Sequence, residues 1–228
     1  MLYNISTVYK MTIKVFYHIY CNQYTLPIVR EQITKIIFSG LYEKVFAVYC
    51  FVTGEPQYID EVCNYIQDSG TKFKIPKRIP YDTTYERYTL LEIPNYITPE
   101  DKFLYIHSKG VTKGNDNVMY PRMYDWRTYM EYFLIGKHVN FIDSLDHYDV
   151  AGVNLNLGGN SHYSGNFWWS TGRYYLTLNF ENLKNDSDYF AAEMFLFKNN
   201  PNPINFYSSN AYHYEERYPM YRYIDLPK

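Results

Sequence analysis

Residues 105–114, YIHSKGVTKG, gather an imidazole (His107), a hydroxyl (Ser108) and two ammonium groups (Lys109 and Lys113) between a run of strand-forming residues and two glycines. Gly110 and Gly114 let backbone amides approach a ligand closely, and the lysines bring positive charge beside them. That combination suits a diphosphate, which asks for charge and directed N–H donors together. The competing reading is a solvated basic loop with His107 packed against the sheet. Neither GxxxxGK[ST] nor GxGxxG occurs, which argues against a P-loop and a dinucleotide-binding turn.

A second stretch, HYSGNFWWS (162–170), sets His162, Ser164, Gly165 and Asn166 beside Trp168 and Trp169. Polar side chains of this kind grip sugar hydroxyls while an indole face packs on the C–H side. A core corner accounts equally well for the tryptophans. Acids come third. Asp186 and Asp188 stand at the start of an expected helix over 187–198, where capping is their ordinary role, whereas Glu193 stands among apolar residues as a general base would. Asp82, Glu86 and Arg87, in YDTTYERYTL, follow a candidate strand at a position suited to reading a nucleotide. The histidines show no HExxH or other zinc spacing.

These groups need a frame. Strands are expected at 13–20, 45–52, 72–80 and 101–108, with helices at 27–39 and 56–69 between them. Pro27 and Pro56 suit first helical turns, and Gly40 and Gly70 suit helix ends. The alternation predicts an α/β fold with a mostly parallel sheet and helices on both faces. Ligands bind such sheets beyond the carboxyl ends of the strands, which selects residues 20–23 with Asn22, the Thr53–Glu55 turn, residues 79–82 and the 107–114 loop. Further on, a long helix is expected at 121–142 and a strand at 149–155. The Tyr- and Pro-rich residues 199–228 read as an irregular arm packed on a single domain spanning 1–198.

The chain has 228 residues, a formal net charge of −2 and 20% aromatic residues, among them 29 tyrosines. With 19 asparagines alongside, this bias reflects codon usage in an AT-rich genome before it reflects a binding face. A near-neutral charge gives no footprint for nucleic acid. No apolar run is long enough to span a membrane, and the first twenty residues lack the pattern of a secretory leader. Three cysteines without CxxC spacing read as free thiols. Together these point to a cytoplasmic protein.

The segments FLYIHSKGV, DWRTYMEYFLI, YDVAGVN and HYSGNFWWS resemble small GT-A-type glycosyltransferases of large DNA viruses, algae and bacteria, some of which act in rhamnan or capsid-glycan synthesis. The resemblance covers roughly residues 13–197. It implies a GT-A-like fold, a nucleoside-diphosphate-sugar donor, a glycan or glycoprotein acceptor and, for a viral member, the host cytoplasm. Asn22, Thr53, Asp82, Glu86 and Arg87 then face the nucleotide, and His107, Ser108, Lys109 and Gly110 face the diphosphate. His162, Ser164, Gly165, Asn166, Trp168 and Trp169 shape the sugar and acceptor side. Glu193, with Asp188 nearby, supplies the base of an inverting transfer. His107-Ser108-Lys109-Gly110 stands where the family usually places Asp-x-Asp with Mn²⁺ or Mg²⁺. Either Lys109 and the loop amides replace the metal's charge, or His107 and a distant acid hold the ion differently. The alternative to an enzyme is a catalytically inactive glycan-binding or scaffolding module on the same fold.

Overall fold

A computed structural model of the chain describes residues 10–81 and 84–224. Its strands are β1 Ile13–Cys21, β2 Ala47–Gly54, β3 Phe73–Pro80, β4 Lys102–His107, β5 Val150–Gly152, β6 Leu155–Asn156, β7 His162–Tyr163, β8 Trp168–Thr171 and β9 Pro203–Asn205. The helices are α1 Thr25–Phe38, α2 Leu41–Lys44, α3 Pro56–Asp68, α4 Arg87–Glu92, α5 Met119–Glu131, α6 His138–Ser144, α7 Gly172–Tyr175, α8 Phe180–Asn185 and α9 Ala191–Met194. Seven strands form one sheet in the order β3-β2-β1-β4-β8-β5-β9, and β6 pairs with β7 apart from it. Neighbours β3, β2, β1 and β4 are parallel, as are β5 and β9, while β8 runs antiparallel to β4 and β5. The fold is therefore the mixed α/β fold that the strand–helix alternation predicts.

Strand alternation splits the core into two layers. Val15, Tyr17, Ile19, Val48, Cys50, Leu104 and Ile106 pack in one layer with α1, α3 and α5. Phe16, Phe51, Phe103 and Tyr105 pack in the other with Leu90 of α4, Tyr175 of α7 and Leu183 of α8. Covering both faces is what makes the inner strands continuous apolar runs. All three cysteines are buried free thiols.

The structure corrects the second half of the sequence reading. The helix expected at 121–142 ends at Glu131, passes through a π-helical turn at Tyr132–Gly136 and restarts as α6. Such wide turns break a helix axis. Over 187–198 there is a single turn, α9, followed by a 3₁₀ turn at Phe195–Phe197. Asp186 Oδ1 accepts the Asp188 N–H and Asp188 Oδ1 accepts the Phe190 N–H, both at 2.9 Å. Those side chains compete with helical backbone bonds and delay the helix. The tail from residue 199 is also more than an arm, because β9 adds a parallel edge to the sheet beside β5.

Candidate active site

The carboxyl ends of β1 and β4 are stitched together locally. Ser108 N–H donates to His18 O, and Ser108 Oγ accepts the Tyr20 N–H, each at 3.0 Å. Gly110 then turns the chain at φ +89°, where an added Cβ would lie 2.9 Å from Met123 Cβ. Asn22 braces the loop by donating from Nδ2 to Val111 O at 3.1 Å. From beneath, buried Arg127 donates to Lys109 O at 3.1 Å and to Glu31 at 2.7 Å, with Glu131 3.3 Å from its Nε. The Lys109 backbone is thus anchored by a guanidinium that two carboxylates hold in place.

Above this edge lie two adjoining cavities of about 380 and 120 Å³. Tyr85, Glu86, His107, Lys109 and Tyr189 line both. The larger continues over His18, Tyr20, Ser108, Gly110 and Thr112, and the smaller over Gly165, Asn166, Phe190, Glu193 and Tyr214. Taken as one cleft, they unite the His-Ser-Lys-Gly loop, the Ser-Gly-Asn turn and Glu193. A larger cleft of about 460 Å³ between α8 and α9, lined by Asn179, Asn182, Asn185, Asp186, Lys198 and Asn199, holds an acid and an ammonium but no imidazole.

Gly165 is the hub of the cleft. Its carbonyl accepts from His107 Nε2 at 3.1 Å, and its N–H donates to Glu193 Oε1 at 2.9 Å. At φ +95°, and with Met130 Sδ 2.6 Å from where a Cβ would stand, the position requires glycine. Glu86 Oε1 faces His107 Nδ1 at 3.3 Å, while Glu86 Oε2 accepts from Asn166 Nδ2 and from Tyr105 OH. Burial, more than the repulsion of Lys109, pushes the His107 pKa down to about 3. Burial likewise raises the Glu86 carboxyl above its ordinary value. Lys109 lies with Nζ 3.9 Å from the centre of the Trp126 ring. Burial lowers its pKa, against the opposing pull of Glu193 and Glu86.

Several residues selected from the sequence lie elsewhere. Trp168 and Trp169 enter opposite core layers, with indole N–H groups on Asn166 Oδ1 at 2.8 Å and on Leu134 O at 3.0 Å. Adjacent residues of β8 point to opposite faces, and both rings are buried in the core layers those faces meet, so neither lines the cleft. His162 sits on the outlying β6–β7 ladder with Nδ1 on Asn160 O, and Ser164 is held by backbone to Asn154. Thr53 is buried with Oγ1 directed at Ile19 O. Arg87 donates to Asp186 O, and exposed Asp188 caps Phe190; both lie outside the cleft. Asp82 falls outside the described residues. Tyr85, Tyr189, Phe190 and Tyr214, all exposed at the rim, escaped the sequence reading because a chain this rich in tyrosine conceals them.

Among the described residues no group of three His, Cys, Asp or Glu side chains converges as a metal site. His107 already directs both ring nitrogens at protein partners, and Glu86 and Glu193 each engage donors of the chain. This donor set does not fit a divalent cation held through His107. No helix of the described residues is long and apolar enough to cross a membrane.

The model of a domain family of unknown function, DUF8361, matches residues 16–218. The chain belongs to that family. The match runs through β9 and the Tyr214 segment, so the DUF8361 unit takes in every element of the cleft. No curated protein matches the sequence. Among solved structures, the chain is similar to 4-diphosphocytidyl-2C-methyl-D-erythritol synthase from Anaerococcus prevotii DSM 20548, at 7% identity and TM-score 0.50 over 90% of each chain. That similarity is one of fold. A weaker one, at 12% identity and TM-score 0.35, links 86% of the chain to 46% of the glycosyltransferase GlyE of Streptococcus pneumoniae TIGR4.

Proposed function

We propose that the chain is a GT-A-like glycosyltransferase that moves a sugar from a nucleoside diphosphate to the hydroxyl of a glycan or glycoprotein acceptor, with inversion. The observation that carries this reading is the meeting of Lys109 and Glu193 in one cleft at the carboxyl ends of parallel strands, where α/β sheets bind ligands. The larger cavity takes the nucleotide, with its diphosphate against Lys109 and the Ser108–Thr112 backbone. The smaller takes the sugar. Glu193, oriented by the Gly165 N–H, removes the acceptor hydroxyl's proton as that oxygen forms its bond to the anomeric carbon. The bond to the diphosphate breaks on the opposite face, and Lys109 stabilises the charge that develops there. Partial burial strengthens that attraction relative to water.

A second reading is nucleotidyl transfer, since the synthase with the similar fold is named for a diphosphocytidyl compound. Product analysis separates the two, because glycosyl transfer releases a nucleoside diphosphate and nucleotidyl transfer releases pyrophosphate. With UDP-, GDP- and TDP-sugars as probes, Glu193→Gln is expected to abolish nucleoside diphosphate release while retaining donor binding. An active Glu193→Gln variant would remove Glu193 as the base.

A further inference from the structure

Two groups of fixed polarity border the Glu86–His107 contact and determine its protons. The Trp168 indole N–H can only donate, so the Asn166 atom it meets at 2.8 Å is the carbonyl Oδ1. Asn166 therefore presents its NH₂ to Glu86 Oε2, which also receives the Tyr105 hydroxyl. Oε2 acts as an acceptor twice. At the other end, the Gly165 carbonyl can only accept, so His107 Nε2 carries a hydrogen. What remains is the 3.3 Å approach of Glu86 Oε1 to His107 Nδ1. A carboxylate oxygen facing a bare ring nitrogen would set two lone pairs against each other in a buried site. One proton must lie between them.

We propose that this proton resides on Glu86 Oε1 and is donated to His107 Nδ1, so that the pair is uncharged and positions Gly165 and, through it, Glu193. The alternative placement, on Nδ1, makes a carboxylate beside an imidazolium, and both charges would have to be withdrawn from water. Burial is the largest influence on both groups and favours the uncharged form, against His18, Lys109, Asn166 and Tyr105, which stabilise a Glu86 carboxylate. His18 from β1, Tyr105 and Lys109 from β4 and its loop, Asn166 from the Ser-Gly-Asn turn, Glu193 from α9, Tyr189, and Tyr214 from the tail face the pair. Lys109, the nearby ammonium, repels an imidazolium, and burial acts in the same direction.

Hydrogen-bond polarity places one proton between the two groups and burial assigns it to Glu86; the consequence for ligand charge rests on the function proposed above. With Glu86 neutral, Glu193 is the cleft's remaining carboxylate among the described residues, balanced by Lys109. With Glu86 ionised and His107 neutral, two carboxylates against one ammonium would oppose a diphosphate.

The test is spectroscopic and needs no substrate. Histidine labelled with nitrogen-15 is introduced into the full chain, and ring correlations are recorded between about pH 5 and 8, where free histidine titrates. The His107→Asn variant assigns the signals. The expected result is a neutral His107 ring with its hydrogen on Nε2, unchanged across that range. Glu86→Gln, whose amide N–H replaces the acid proton, is expected to leave those signals in place. A doubly protonated ring at about pH 7, turning neutral in Glu86→Gln, would overturn the proposal, as would a neutral ring carrying its hydrogen on Nδ1. Failure of nucleotides to bind would count against the proposed function and leave this assignment standing.

Discussion

A methyl group at Gly165 is strained by the backbone and can enter only if the end of the Met130 side chain gives way. The backbone there lies at φ +95°, and the new Cβ would stand 2.6 Å from Met130 Sδ and 3.0 Å from Trp126 Cε2. Holding a non-glycine residue in such a conformation costs about 1–3 kcal/mol. Forcing one more carbon into packed surroundings costs about another 1–3 kcal/mol. The sum is about 2–6 kcal/mol, which for a chain of this size lowers Tm on the order of 10 °C. Thermal unfolding of Gly165→Ala by circular dichroism reads this directly. Gly159→Ala is the control, since its Cβ meets nothing within 4 Å. Because the Gly165 peptide holds both His107 and Glu193, the His107 ring signals are expected to move as well. Wild-type Tm together with unmoved His107 signals in Gly165→Ala would refute the hub geometry.

Three other perturbations follow from the same contacts. Lys109→Met keeps the aliphatic stem over Trp126 and removes the charge; with a charge-assisted hydrogen bond worth about 1.5–3 kcal/mol, titration calorimetry is expected to show nucleoside diphosphate binding weakened about 10- to 150-fold. Arg127→Met leaves fully buried Glu131 with Lys35 as its remaining cation and frees the Lys109 carbonyl, a loss of about 3–5 kcal/mol in denaturant unfolding that Glu131→Gln should partly restore in the double variant. Stability is also expected to depend on acid. Buried His107 binds its proton more weakly folded than unfolded, so the stability it contributes is complete above the ordinary histidine pKa of about 6.5 and is lost as pH falls from there towards about 3. Denaturant midpoints recorded down that range are expected to fall less steeply in His107→Asn than in the parent, and equal slopes would contradict this.

The first half of the fold was legible because its strands are covered on both faces and its helices carry proline and glycine at their ends. Both signals are local, and β1 to β4 lie where the alternation predicts. The second half depends on distant partners. No local pattern announces that Pro203–Asn205 pairs with Val150–Gly152, or that Asp186 and Asp188 divert the chain before α9. The site divides in the same way. His107, Lys109 and Gly110 follow a strong strand at the ligand-binding edge, and spacing alone found them. Glu193 stood out as a carboxylate among apolar residues and does enter the cleft, from α9 instead of a long helix. Trp168 and Trp169 misled because large aromatic rings serve core and sugar sites alike, and only the β8 alternation decides between them. Glu86 was chosen for its place after a strand, whereas its partnership with His107 depends on a contact across 21 positions that no sequence spacing encodes.

On the proposed function, this cleft holds a nucleoside diphosphate through Lys109 and the loop amides. The measurement that tests this most directly is thermal unfolding of the full chain with UDP, GDP, TDP and their sugars, each with Mn²⁺, Mg²⁺ or EDTA. At a ligand concentration of about 100 Kd, native-state binding adds about 2.7 kcal/mol. At about 2–4 °C per kcal/mol for a chain of this length, Tm should rise by roughly 5–10 °C. That rise is expected for at least one nucleotide, retained in EDTA and lost in Lys109→Met. No rise with any nucleotide at millimolar concentration, or a rise that EDTA abolishes, would contradict it.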